Sequence, residues 1–151
     1  MKSFKQHIFE KLKVTKGNTP KYTLFPKTKD ELKQMIKDEI SKNGYECSLN
    51  HIDVSKITDT SDLFYMSKFN GDISNWDVSN VKGMEYMFAK SDFTGDISDW
   101  DVSNVENMNC MFYDSNFNGD ISNWDVSSVI NMSDMFSYSP LENDPPKWYE
   151  E

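Results

Sequence analysis

The chain repeats itself every 24 residues, and this period limits its possible folds more than any other feature. Residues 69–92, 93–116 and 117–140 superpose almost letter for letter on the pattern F-x-G-D-I-S-x-W-D-V-S-x-V-x-x-M-x-x-M-F-x-x-S. Trp76, Trp100 and Trp124 fall one period apart, as do Phe64, Phe88, Phe112 and Phe136. A degenerate copy starts near Tyr45, with Leu49, Ile52, Val54 and Ile57 at the places of Ile73, Trp76, Val78 and Val81. A unit this short cannot bury its own apolar side, so neighbouring units must stack and share one core.

Within a unit, Ile73, Trp76, Val78 and Val81 have the apolar spacing of a leucine-rich-repeat turn. Trp76 and Val78, two apart, predict a short strand with Asn75, Asp77 and Ser79 on its other face. Met84, Met87 and Phe88 follow at helical spacing and predict a short return helix. Gly71, Gly95 and Gly119 stand where the chain turns into the next strand. The expected fold is therefore an α/β repeat solenoid: a leucine-rich-repeat-like array of four 24-residue turns, each a short strand plus a short helix, with an N-terminal helical cap.

The flanks complete this organisation. Residues 1–14, with Phe4, Ile8 and Leu12 on one side, read as an amphipathic helix, and 15–27 as a linker containing Gly17, Pro20 and Pro26. Residues 28–44 read as the capping helix: Thr28 and Glu31 suit its start, Leu32, Met35, Ile36 and Ile40 share a face, and Gly44 stops it. The repeats span 45–140. Residues 141–151, with Leu141, Trp148 and Tyr149, read as a C-terminal cap in which Pro145 and Pro146 bar a helix.

Charge divides the chain at about the same boundary. Residues 1–44 carry 11 Lys against 5 acids, whereas 45–151 carry 5 Lys against 20, and there is no Arg. An acidic repeat half does not suit nucleic acid, whose phosphates require clustered Lys and Arg. The N-terminal lysines interrupt any signal-peptide core, and no apolar stretch reaches the length of a membrane span. These features place the expected protein in the cytoplasm.

Residues 71–81 (G-D-I-S-N-W-D-V-S-N-V), continued by Met84 and Met87-Phe88, resemble the repeats of the BspA-like leucine-rich-repeat family, the "surface protein" repeats of bacteria, mycoplasmas and some phages. The resemblance covers about residues 45–140. It implies a leucine-rich-repeat solenoid, often cell-surface or adhesive, and supplies no catalytic residues; with neither signal nor anchor seen and a helix ahead of the array, the resemblance points to an intracellular or phage-associated variant.

Little else points to chemistry. His7 and His51 are the only histidines, and neither joins a Ser/His/Asp, Cys/His or HExxH pattern; the glycines occur singly and form no phosphate loop. Cys47 and Cys110 lack metal-ligand spacing and are expected as free thiols. No catalytic residue, metal site or cofactor is assigned. The acidic ladders are more informative. Asp53, Asp77, Asp101 and Asp125 form one, and Asp72, Asp96 and Asp120 form a second. At a strand spacing of about 4.8 Å, neighbouring carboxylates repel by about 1 kcal/mol per pair even in water. Either local hydrogen bonds from N–H and Ser hydroxyl groups or a bound Ca²⁺ must offset this. The expected function is non-enzymatic binding of a protein partner with a basic patch. The contact residues would be Asn75, Asp77, Ser79, Asp99, Asp101, Ser103, Asn123, Asp125 and Ser127. Two alternatives are a structural component of a larger assembly docked through residues 1–14, and an acidic inhibitor of a nucleic-acid-binding enzyme.

Overall fold

The computed structural model describes residues 20–149, so the expected helix over 1–14 and His7 lie outside the described residues. One helix, α1 (Lys29–Asn43), opens the fold. The Thr28 hydroxyl accepts the Glu31 N–H at 3.2 Å, and the Glu31 carboxylate reaches back to the Lys27 N–H at 2.7 Å. Gly44, at φ 85°, ends the helix by donating its N–H to the Ile40 carbonyl at 2.8 Å. Leu32 and Ile36 are buried in the same core as the first repeat. On that repeat, Lys29 bonds the Ser61 hydroxyl and meets Asp59 and Asp62, and Lys33 meets Asp62 at 2.7 Å.

Beyond α1 the repeats stack, and each ladder in the sequence becomes a column in the core. Phe64, Phe88, Phe112 and Phe136 lie nearly parallel at 5.6, 5.6 and 5.9 Å. Phe69, Phe93 and Phe117 form a second column at 6.3 and 6.2 Å. Trp76, Trp100 and Trp124 are each only 4% exposed. Each indole N–H donates to a carbonyl of the preceding unit, from Trp76 to Leu49, Trp100 to Ile73 and Trp124 to Ile97. The column does not stop at Trp124. Trp148 stacks on it at 6.4 Å and donates to the Ile121 carbonyl at 2.8 Å, one period further on. Residues 141–149 thus continue the repeat, with Leu141 at the place of Phe117.

The α/β alternation expected of each turn is overturned. Among the described residues α1 is the only helix, and no strand or sheet forms. Parallel pairing is reduced to isolated bridges, of which Asp59–Gly83–Asn107–Asn131 run through the repeats. The reason lies in where the backbone N–H groups point. Met84, Tyr86, Phe88 and Lys90 donate to the carbonyls of Asn107, Asn109, Met111 and Tyr113 in the next unit at 2.8–3.0 Å. The intervening Met87, Ala89 and Ser91 donate three residues back, to Met84, Tyr86 and Phe88. An α-helix needs every N–H directed within its own segment, and here half of them run along the stack. The same rows recur from Thr60–Met66 to Gly83–Ala89 and from Met108–Asp114 to Asn131–Ser137.

This alternation forces two residues per unit into the left-handed region. Tyr86 and Lys90 have φ 55°, and their counterparts Asp62, Met66, Cys110, Asp114, Asp134 and Tyr138 lie between 50° and 59°. Such a conformation costs about 1–2 kcal/mol per non-glycine residue, so the shared ladder must outweigh it. On the expected strand, side chains replace the backbone ladder. The Trp76 and Val81 N–H groups turn back to Ile73 and Val78, while Asn80 and Asn104 reach the Ser55 and Ser79 carbonyls of the preceding unit, both at 2.7 Å. A segment bridged in this way is not a β-strand.

Candidate interaction face

The acidic ladders are built from a two-residue device. A carboxylate or carboxamide oxygen accepts the N–H of the residue two further on and so closes a tight turn without glycine. Asp77 holds the Ser79 N–H at 3.1 Å and its hydroxyl at 2.6 Å, and Asp101 holds Ser103 with the same two distances. Asp125 accepts the Ser127 N–H at 3.0 Å. The second ladder repeats the device through Asp72 with Ser74, Asp96 with Ser98 and Asp120 with Ser122. A third row went unread in the sequence: Asp59 with Ser61, Asn107 with Asn109 and Asn131 with Ser133. Its signal was an Asp/Asn-x-Ser/Asn element in three of the four units, hidden by Gly83-Met84-Glu85 at the same place in the other.

Each turn engages Oδ1. All the carboxylates of the two ladders are exposed from Asp72 onward, and Asp53 is half-buried. The hydroxyl and N–H of Ser103 hold the Asp101 carboxyl below the usual range, against burial and the charge of Asp125. The bonds from Ser74, Ser98, Ser122 and Ser127 do the same for Asp72, Asp96, Asp120 and Asp125. Repulsion from Asp72 and Asp120 opposes the shift at Asp96 without reversing it. These groups are ionised at neutral pH.

Of the nine residues expected to meet a partner, Asn75, Asp77, Asp99, Asp101, Asn123, Asp125 and Ser127 are exposed. Ser79 and Ser103 are half-buried, and their hydroxyls are committed to Asp77 and Asp101, so their role is to orient the carboxylates. The nine do not lie on the face of a strand, since none forms there. They sit on successive corners, with the Asn75 N–H held by the Asn50 carboxamide of the preceding unit at 2.9 Å.

Other candidate groups are placed elsewhere. His51 faces Glu39 at 3.1 Å. Cys47 and Cys110 are free thiols, Cys47 half-buried and Cys110 buried. Its neighbour Tyr86 is exposed, and the Cys110 side chain beside it holds the Tyr86 hydroxyl above its usual range. No group of three or more His, Cys, Asp or Glu able to hold a metal ion occurs among the described residues. No helix among them is long and apolar enough to cross a membrane.

No curated protein and no solved structure matches the chain. A family model does, over residues 30–148, which takes in α1, all the repeats and Trp148. The chain belongs to the family described as "Mycoplasma protein of unknown function, DUF285".

Proposed function

We propose that the chain is a non-enzymatic protein-binding repeat module whose acidic corners meet a basic patch on a partner protein. The observation that carries this reading is the pair of carboxylate ladders, exposed, ionised and set by the same turn in each unit. A side chain already oriented by its own turn loses little freedom on contact, which favours affinity. Charges repeating along one side also steer a partner of opposite sign and fix its register. The resemblance of the W-D-V-S and M-F elements to BspA-like surface-protein repeats supports the same reading.

The test compares the full chain with an Asp77→Asn/Asp101→Asn/Asp125→Asn variant as baits in host extract. Asparagine keeps an Oδ1 acceptor for each turn and removes the charge. A protein retained by the wild type and lost by the variant supports the reading. Identical retention by both baits overturns it.

A further inference from the structure

The outward side chains of the N–H rows form a face of their own, apart from the acidic corners. Its three columns start at Asp62, Tyr65 and Met66 in the degenerate unit and recur every 24 residues through the three full repeats. Ring contacts show that the columns are neighbours. Tyr65 meets Tyr86 of the next unit edge to face at 6.3 Å, and Tyr113 meets Tyr138 in the same way at 5.4 Å. Tyr65 and Tyr86 are exposed, and Met66 and Tyr138 are more open still, at 65% and 70%. Ala89, between Tyr65 and Tyr113 in one column, and Cys110, after Tyr86 in another, are buried, so tyrosine ridges alternate with shallow dips. The centre of the face holds an ion pair, Lys90 with Asp114 at 3.8 Å. Exposed tyrosine and methionine gathered on one side and interspersed with a few charges is the composition of a protein interface.

We propose that this face is a homodimer interface, closed by a second copy of the chain about a twofold axis lying across the stack between the second and third units. A patch that meets its own copy must be complementary to itself. This axis sets each column against the same column and exchanges the first unit with the fourth and the second with the third. Lys90 then falls opposite Asp114 of the second copy, and Asp114 opposite its Lys90. No tyrosine meets a tyrosine. At the centre Tyr86 lies over Cys110 and Tyr113 over Ala89, so large side chains fill dips. At the rims Tyr65 lies over Ser137 and Tyr138 over Met66, a ring against a thioether. Asp134 falls opposite Asp62, whose carboxylate is already met by Lys29 at 3.4 Å and Lys33 at 2.7 Å, so the local charge facing Asp134 is positive. The other possible twofold, along the stack, would set Asp62 on Met66, Asp114 on Cys110 and Asp134 on Tyr138, three carboxylates against apolar groups. The interface is independent of the acidic corners, which lie on other parts of each unit.

Sedimentation equilibrium of the full chain reads the association, with circular dichroism melts showing that each variant folds. The wild type should pass from monomer to dimer below about 1 mM. Lys90→Asp and Asp114→Lys each set like charges against one another at both crossings of the interface, and each should weaken self-association at least about tenfold. Lys90 and Asp114 occupy the same left-handed place in successive units, at φ 55° and 50°, so each place accepts the other's residue. Mixed in equal amounts, the two variants present Asp against Lys at both crossings, and the mixture should dimerise about as tightly as the wild type. The double variant Lys90→Asp/Asp114→Lys, which restores opposite charges within and between chains, should also dimerise. The proposal is overturned by a wild type that stays monomeric at about 1 mM, or by a single variant that associates as tightly as the wild type. It is equally overturned if the mixture, or the double variant, stays monomeric.

Discussion

Trp100 lies in the middle of the stack and offers the sharpest test of how the core holds. Its ring is 6.4 Å from Trp76 and 6.2 Å from Phe88, and its N–H donates to the Ile73 carbonyl at 3.1 Å. Trp100→Ala removes the whole indole from between units whose spacing is fixed by the N–H rows on the other side, so the gap cannot close. The expected cost is about 3–5 kcal/mol, a large share of the roughly 5–15 kcal/mol that holds a domain together. Trp100→Phe separates the components. It keeps an aromatic ring in the column and removes the N–H, while the Ile73 carbonyl retains the Trp76 N–H at 3.2 Å. That variant should lose about 1–2 kcal/mol. Urea unfolding followed by circular dichroism measures both, with an unchanged slope showing that the unfolded state is comparable. A loss below about 1 kcal/mol for Trp100→Ala, or equal losses for the two variants, would refute the reasoning.

Gly95→Ala should cost about 1–3 kcal/mol in the same melts, because its Cβ would lie 2.7 Å from the Phe93 ring, itself stacked between Phe69 and Phe117. Lys90, exposed at φ 55°, tolerates glycine with little change in stability, whereas Lys90→Val should cost more than about 1 kcal/mol, because a branched Cβ resists that conformation. The Ser91 hydroxyl is buried and finds no partner among the described residues, so Ser91→Ala should raise the melting temperature. The folded-state shifts of Asp72, Asp96, Asp101, Asp120 and Asp125 are all downward, so their contribution is fully present above the ordinary carboxylate range, about pH 4, and is lost as pH falls through the lowered values. A melting temperature that instead rises on acidification would show that repulsion along the ladders outweighs the serine bonds.

The core was legible in the sequence because burial follows the 24-residue period whatever the local conformation. Ile73, Trp76, Val78, Val81, Met84, Met87 and Phe88 were all read as inward, and all are buried. The conformation was not legible, because side-chain spacing does not report where N–H groups point. Met84, Met87 and Phe88 have helical spacing, yet the Phe88 N–H donates to Met111 in the next unit. Trp76 and Val78 alternate as in a strand, yet an indole and a carboxamide cross the junction there. Trp148 escaped notice as a ladder member because Pro145-Pro146 replaces the Ile-Ser of the pattern and hides the period. The glycines were read as turning the chain into a strand that does not form; they are required because at Gly95 and Gly119 a phenylalanine ring leaves no room for a Cβ, and at Gly71 the Cys47 carbonyl also blocks it. In the candidate face, the carboxylates were legible as ladders. That serines orient them became visible only with the turn geometry.

The most direct test of the acidic corners as a recognition surface is the affinity of the partner captured by the wild-type chain, measured at low and high salt for the wild type and the Asp77→Asn/Asp101→Asn/Asp125→Asn variant, with each melting temperature taken alongside. Exposed charges are screened within about 8 Å at physiological ionic strength, so wild-type affinity should fall as salt rises. The variant should bind at least about tenfold more weakly, show little salt dependence, and melt within about 4 °C of the wild type. Equal affinity for the two chains, or a loss of binding accompanied by unfolding of the variant, would contradict the claim.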